Sequence, residues 1–226
     1  MPVTRLRLAL ACALVTAALA LPAPAQSKAE EAEKTLAAAR TTLNNFLSDP
    51  DFKWLNEHFR EAKGILIVPN QNKGGFIFAG SGGVGVLFTR DGKGGWNGPA
   101  FYRLASVSVG FQIGGEHSEV LLFIRSKKGA DSFLASSVKL GGEASVAAGP
   151  VGQGAQASTA DIFSFSRSKG AFVGASLEGT IVKPAEDLNR GFYGKKLSPV
   201  DILVRGEGSD AKAEPLKEEI EKAAAK

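Results

Sequence analysis

The sequence has very few of the side chains on which redox, thiolate and metal chemistry depend. Its 226 residues include one Cys, two His, two Trp and two Tyr. Because Cys12 lies in the N-terminal apolar run, the rest of the chain has no disulfide framework, thiolate nucleophile or Cys-based metal site. His58 and His117 show no His-x-x-x-His or Glu-x-x-His spacing. The sequence therefore predicts neither a metal site nor a bound cofactor.

Motifs for nucleotide binding and for nucleophilic catalysis are missing as well. Gly80, Gly82 and Gly85 have the spacing of a dinucleotide fingerprint, but residues 86–89 continue as a strand where that fingerprint needs a helix. The chain has no Gly-Lys-Ser/Thr phosphate loop, and the segment GASLE at 174–178 lacks the second glycine of a serine-hydrolase elbow. We therefore predict that the protein is not an enzyme.

The charge of the chain is too balanced for a dedicated nucleic-acid binder. There are 27 Lys and Arg against 23 Asp and Glu, which gives a net charge of +4. Glycine and phenylalanine are plentiful instead, with 27 and 14 residues. Since 44% of the residues are apolar, a chain of this length can bury one sizeable core. This composition favours a single sheet-rich domain without a nucleic-acid partner.

Residues 1–25 have the pattern of a secretory signal peptide. Arg5 and Arg7 precede an apolar run, 8–21, that is too short to span a bilayer comfortably, and Ala-Pro-Ala at 23–25 is a small-x-small cleavage pattern. The sequence thus predicts export to the periplasm or cell envelope. A lipoprotein signal at Cys12 is the weaker alternative, because the apolar run continues beyond that residue.

Two amphipathic helices are predicted to follow. Over 28–47, apolar residues recur at steps of three and four, with charged residues on the other side. Ser48-Asp49-Pro50 then supplies a cap and a proline at the first position of a second helix, which ends near Ala62. We expect both apolar faces to cover a sheet. Insertion of one face into a lipid interface is the alternative, which the glutamates near the start of the first helix disfavour.

Residues 65–182 are typical of short strands separated by glycine-rich turns. The pattern predicts strands near 65–68, 76–80, 84–89, 104–113, 119–124, 138–148, 153–157, 162–166 and 171–182, and short helices at 127–137 and from Pro184 to about 190. The segment 73–86 can be laid over 169–182, which hints at a duplicated β unit.

These elements predict an α+β fold: an antiparallel, β-rich and possibly barrel-like domain with two N-terminal helices and one or two short helices. We expect this domain to span 26–204. Residues 205–226, which begin GEGSDAKAEP and end in a charged run, are expected to form a flexible charged tail.

A cation stands beside a glycine at four predicted turns. These turns contain Lys73-Gly74-Gly75, Lys93-Gly94-Gly95, Lys127-Lys128-Gly129 and Lys169-Gly170. If several gathered at one end of the sheet, they would form a cationic rim that holds phosphate headgroups through charge and through backbone amides. A solvated hairpin turn is the alternative for each, because Lys-Gly is ordinary turn chemistry.

Seven segments together resemble the SYLF domain family. They are AKGILIVP (62–69), GSGGVGV (80–86), WNGPAFY (96–102), GFQIGGE (110–116), VKLGGEASVAAGPVG (138–152), FSRSKGAFVGASLEG (165–179) and FYGKKLSP (192–199). The resemblance implies a domain that binds membrane lipids, notably phosphoinositides in eukaryotic members, where it is joined to other modules and linked to actin regulation. Bacterial relatives are secreted or envelope proteins.

Lys63, Lys139, Arg167 and Lys169 lie in the matched segments, so the resemblance implies them as contacts to lipid headgroups. The expected partner is an anionic phospholipid, phosphoinositide-like, at a membrane surface. An actin link is not expected, because an exported chain would not meet actin.

Two other functions stay open at this point. The first is a structural or protein-interaction module of the envelope without lipid specificity, since a fold does not settle a function. The second and least favoured is a hydrolase that uses two carboxylates among Glu143, Asp161 and Glu178, the acidic residues inside the glycine-rich strands.

Overall fold

A curled sheet of nine strands forms the centre of the fold in a computed structural model that describes residues 24–69, 82–105, 118–150, 159–168, 171–172 and 177–226. The strands are β1 (Gly64–Val68), β2 (Gly82–Arg90), β3 (Trp96–Ala105), β4 (Ser118–Ile124), β5 (Val138–Lys139), β6 (Val146–Ala148), β7 (Ile162–Ser168), β8 (Ala171–Phe172) and β9 (Ile181–Pro184). Their order is β5-β9-β3-β2-β1-β4-β7-β6, and β8 also pairs with β7. These strands pair antiparallel, except β6 with β7.

The two outermost strands of this order are too close in sequence for a flat sheet. Eight strands spaced by about 4.8 Å would place β5 and β6 about 34 Å apart. The chain from Lys139 to Val146 spans at most about 25 Å when fully extended, and it turns back where the amide of Gly141 donates to the carbonyl oxygen of Ala144 at 2.9 Å. The sheet therefore curls, and the prediction of an antiparallel, barrel-like α+β fold is confirmed as a half-barrel.

Both faces of the curled sheet are covered. In β1, Ile65 and Ile67 belong to the core under the helices, whereas Leu66 and Val68 belong to a second core. This second core also holds Leu140 and Ala144 of the turn that joins the two outermost strands, so it lies on the concave face. Because consecutive residues of a strand point to opposite faces, the two cores together bury every position of β1. Its continuous apolar run therefore reflects a central strand with a core on each side.

The convex face is covered by helices from both ends of the chain. The helices are α1 (Pro24–Ser48), α2 (Lys53–His58), α3 (Lys127–Ser132), α4 (Glu186–Tyr193), α5 (Pro199–Leu203) and α6 (Glu214–Ala224), with 3-10 turns at Pro50–Phe52 and Phe59–Glu61. Residues of α1, α2, α4 and α6 enter the convex core, and α5 contributes Ile202 and Leu203 to the concave one. Within the described ranges, no helix is both long and apolar enough to cross a bilayer.

The predicted N-terminal helices are present and cover the sheet. The buried stripe of α1 follows helical steps through Ala32, Leu36, Ala39, Leu43 and Phe46. As predicted, Asp49 caps the next helical segment: its carboxylate accepts from the amide of Asp51 at 3.0 Å, and Pro50 takes the first position. In this arrangement the apolar face of α1 is part of the core and does not face a lipid surface.

Three predicted strands have different bounds in the structure, and the one predicted at 171–182 is described as β8, a turn within 177–180 and β9. β3 begins at Trp96, not at 104, because a bulge in β3, where Gly98 and Pro99 lie opposite Phe88 alone, allows a proline in a central strand. The predicted strand at 138–148 is divided into β5 and β6 by a turn in which Gly141 has a φ of +82°. The predicted strands at 76–80 and 153–157, and much of the overlay of 73–86 on 169–182, lie outside the described residues.

The prediction of a flexible tail at 205–226 is wrong, because residues 214–224 form helix α6. Leu216, Ile220 and Ala223 recur at four and three residues and are buried in the same core as α1. An ion pair joins Arg40 of α1 to Glu219 of α6 at 2.6 Å. Charged residues on the outer face of α6 obscure this apolar stripe in the sequence, so the segment resembles a tail although it closes the core.

Candidate functional site

Several segments rich in Lys and Arg meet at one end of the sheet. The strand pairs Gly64 with Thr89, Gly64 with Ile124 and Ile124 with Ile162 place the start of β1, the end of β2, the end of β4 and the start of β7 side by side. The segments next to these strand ends are 60–63, 90–95 and 125–131, with Asp161. They contain seven cationic and four acidic side chains, and we call this surface the basic end. Its cations are Arg60, Lys63, Arg90, Lys93, Arg125, Lys127 and Lys128.

Backbone hydrogen bonds hold these segments together. The amide of Lys63 donates to the carbonyl oxygen of Ile124 at 2.7 Å, and the amide of Arg90 donates to the carbonyl oxygen of Lys63 at 2.9 Å. The amide of Arg125 in turn donates to the carbonyl oxygen of Asp161 at 2.9 Å. The positions of the cations therefore follow from the strand register and not from flexible loops.

Arg90 binds the segments of the basic end to one another. Its guanidinium donates to the carbonyl oxygens of Ala62 at 3.3 Å, Gly94 at 2.9 Å and Arg60 at 3.3 Å. It also lies 4.5 Å from the ring centroid of Trp96, a cation–π distance. Most donors of Arg90 are thus used inside the protein, and its main role is to position its neighbours.

Asp161 fixes the other side of this surface. Its Oδ1 accepts from the hydroxyl of Ser126 at 2.5 Å, and its Oδ2 accepts from the hydroxyl of Ser145 at 2.8 Å and from the amide of Ser145 at 3.1 Å. The hydrogen bond from Ser126, with those from Ser145, lowers the pKa of Asp161 to about 2. The carboxylate is therefore charged at neutral pH, and it lies 3.5 Å from the ammonium group of Lys128.

Three backbone amides of the two described basic turns already have acceptors. Asp91 Oδ1 accepts from the amides of Lys93 at 2.7 Å and Gly95 at 2.9 Å, and the hydroxyl of Ser126 accepts from the amide of Gly129 at 2.9 Å. The expectation that such amides hold phosphate groups finds no support at these turns, since a phosphate would have to displace an existing partner. Charge on the side chains is what this surface offers.

The four predicted headgroup contacts do not form one site. Lys63 is exposed at the basic end. Lys139 pairs with Ile181, and Ile181 pairs with Ala105, the last residue of β3. Lys139 is therefore at the end of the sheet opposite the basic end. Arg167 is also at that end, five residues beyond the start of β7 or about 16 Å away. The three described residues therefore do not lie on one face, and Lys169 lies outside the described residues.

Arg167 has a different role from the one predicted. It lies 3.2 Å from Glu119 on β4 and 3.2 Å from Asp49 at the helix cap. The side chains of Arg167, Asp49 and Glu119 are 24%, 14% and 11% exposed, so this is a largely buried network. Glu119 also accepts hydrogen bonds from Thr42 at 2.9 Å and Asn45 at 2.8 Å, both on α1. Arg167 thus fixes α1 to the sheet.

The three charged residues of this network are far apart in sequence, which is why reasoning from the sequence missed it. Arg167 and Glu119 are separated by 48 positions, and Arg167 and Asp49 by 118. The only available signal was that each charged residue stands in or next to an apolar element, where charge is costly unless it is paired.

Comparison with known proteins agrees with the resemblance seen in the sequence. The family model Ysc84, described as "Las17-binding protein actin regulator", matches residues 105–223. The SH3 domain-containing protein PJ696.02 of Schizosaccharomyces pombe is 35% identical over 163 residues, covering 69% of this chain and 38% of its own length.

Two further relatives show the same partial coverage. Protein YSC84 of Saccharomyces cerevisiae is 34% identical over 152 residues, which cover 64% of this chain and 32% of the relative. The human SH3 domain-containing YSC84-like protein 1 is 32% identical over 164 residues, which cover 70% of this chain and 48% of the relative. The chain thus spans between a third and a half of the length of these relatives. Since the family model covers more than half of the chain, the protein belongs to the Ysc84 family, which is the SYLF domain family that its sequence motifs resemble.

Proposed function

We propose that the protein binds anionic phospholipid surfaces and that the basic end is the face that touches them. The observation that supports this proposal is the meeting of three basic segments at one end of the sheet, with seven cationic and four acidic side chains. Cations grouped on one face attract an anionic leaflet together, whereas cations spread over the molecule would not.

The expected strength of this attraction is modest. Arg60, Lys63 and Lys93 are exposed, and at about 1 kcal/mol per near-surface cation they would contribute about 3 kcal/mol. Lys127 and Lys128 lie 2.5 Å from Asp131 and 3.5 Å from Asp161, so part of their charge is already balanced. Binding should therefore be reversible and should weaken as salt is added.

Export to the periplasm or cell envelope is part of the proposal and is supported by the signal-peptide pattern at 1–25. The basic end would then contact a membrane of the cell envelope. Mass spectrometry of the protein recovered from a host that secretes it tests this step, with a mature N-terminus at Gln26 as the expected result. A full-length chain that still starts at Met1 would contradict it.

Vesicle flotation tests the binding itself. Both cores lie between Ala32 and Ala223, so residues 26–226 carry the whole described fold and can be used in the assay. We expect this chain to float with vesicles that contain phosphatidylglycerol and to be released from them by raised salt. With neutral vesicles it should remain at the bottom of the gradient. Absence of flotation with either kind of vesicle would overturn the proposed function.

A pair of charge-reversal variants locates the surface. Lys63→Glu with Lys93→Glu should abolish flotation with anionic vesicles, because it changes the charge of the basic end by four units. The matched control reverses Lys139 and Lys183, which are exposed on β5 and β9 and lie towards the opposite end of the sheet. It has the same net charge and should float nearly as well as the unchanged chain. Equal loss in both variants would mean that overall charge, and not this face, governs binding.

An acidic protein surface is the second candidate partner. The descriptions of the family and its relatives name actin regulation and Las17 binding, and a basic face suits an acidic protein as well as a lipid. Co-sedimentation with actin filaments, using the same two variants, separates the candidates. Pelleting with filaments that is lost only in the Lys63/Lys93 variant, without flotation on vesicles, would favour the protein partner.

A further inference from the structure

We infer that the basic end recognises the charge density of a membrane and not the shape of one headgroup. This inference rests on the proposed function and names its ligand class: anionic phospholipids in general, including those with a single phosphate, in proportion to the surface charge they create. A phosphoinositide would then be bound for its charge alone.

The first reason is that several of the directional donors at this face are already used. A headgroup is recognised by shape when donors converge on it in fixed positions. At the basic end the amides of Lys93, Gly95 and Gly129 donate to Asp91 and Ser126. Arg90, whose planar fork is the group best suited to a phosphate, donates to three backbone carbonyls.

The second reason is the placement of the remaining cations. Arg60 and Lys63 flank the start of β1, Lys93 is at the tip of the β2–β3 turn, and Lys127 and Lys128 begin α3 beyond β4. Four of these five cations are lysines, whose ammonium groups on flexible stems are point charges that need no fixed geometry. Cations spread along the strand ends of a sheet therefore suit a surface of many headgroups better than one bound molecule.

The carboxylates of the basic end support the same conclusion. Lys127 pairs with Asp131 and Lys128 with Asp161, and the two lysine side chains are 84% and 69% exposed, so their charges remain accessible to solvent ions. An anionic surface can compete for such lysines by its potential, because the pairs are screened and weak. A single headgroup, by contrast, would meet at each of these positions a lysine whose charge is already balanced by a carboxylate.

Vesicles of matched surface potential test the inference. Three sets contain phosphatidylglycerol, phosphatidylserine, or a smaller fraction of a phosphoinositide, each adjusted to the same zeta potential. We expect partition coefficients within about threefold of one another and the same dependence on salt. A preference of about tenfold or more for one headgroup at matched potential would overturn the inference but leave the proposed function intact. Absence of binding to all three sets would overturn the proposed function itself.

A charge-preserving variant provides an independent test. Arg and Lys are not interchangeable where donor geometry matters. Lys63→Arg with Lys93→Arg keeps the charge of the basic end and changes the shape of its donors, so charge recognition predicts unchanged partition for each lipid. A variant that loses binding to one lipid and keeps the others would contradict the inference, provided that its thermal unfolding is unchanged.

Discussion

Replacing Arg167 separates its structural role from the lipid contact that the sequence predicts. In Arg167→Gln, Glu119 and Asp49 lose their counter-charge while they are only 11% and 14% exposed. Removing one partner of a fully buried ion pair costs about 3–5 kcal/mol. Since Arg167 itself is 24% exposed, we expect a loss at the low end, about 3 kcal/mol in the free energy of unfolding.

Two assays on the same sample measure this effect. Urea unfolding should show the loss in stability, which corresponds to a fall of about 6–12 °C in Tm for a domain of this size. Flotation of the folded variant with anionic vesicles should be unchanged, because Arg167 lies at the end of the sheet opposite the basic end. Adding Glu119→Gln should restore part of the stability, since it removes the unpaired charge. Unchanged stability, or loss of vesicle binding by a fully folded variant, would refute this reasoning.

Three further predictions concern stability. Gly191→Ala should destabilise the domain by about 1–3 kcal/mol in urea unfolding, because the added Cβ would lie 2.8 Å from the backbone nitrogen of Ala29 on α1. Gly194→Ala is the control: nothing lies within 4 Å of its added carbon, so it bears only the cost of its positive φ. Leu216→Ala should cost about 2–5 kcal/mol if α6 is part of the core, whereas a tail would tolerate it without change in Tm. Asp161 has its pKa lowered to about 2, so its charged form stabilises the fold above its ordinary pKa, and that stability is lost as the pH falls towards 2. Asp161→Asn should therefore be less stable at pH 7 and lose less on acidification, and parallel pH profiles for the two proteins would contradict this assignment.

The helices and most strands could be predicted because their patterns are local. The stripe of α1 repeats at helical steps, and β1 and β4 are short apolar runs bounded by turns. The start of β3 could not be predicted in the same way, because Pro99 is tolerated in a central strand only through a bulge against β2, and that bulge depends on the pairing of the two strands. Helix α6 was missed because its burial depends on α1, which is far away in the sequence.

The basic end could be predicted only in part. The Lys-Gly turns at Lys93 and Lys127 were visible in the sequence, but their meeting depends on β2 and β4 both ending beside the start of β1. Arg60 and Arg90 carried no comparable signal, although Arg90 joins the segments. The family resemblance identified segments of the chain and not the direction in which their cations point, and so it grouped Lys63 with Arg167 from the opposite end.

The orientation of the protein on a bilayer tests the central claim most directly. With Cys12 absent from residues 26–226, a single cysteine introduced at Lys93 or at Lys183 can carry an environment-sensitive fluorophore at a defined place. On addition of vesicles containing phosphatidylglycerol, the label at position 93 should shift to the blue and gain intensity, while the label at position 183 should keep its spectrum in water. A response at 183 with none at 93, with both labelled proteins bound, would show that another face meets the membrane.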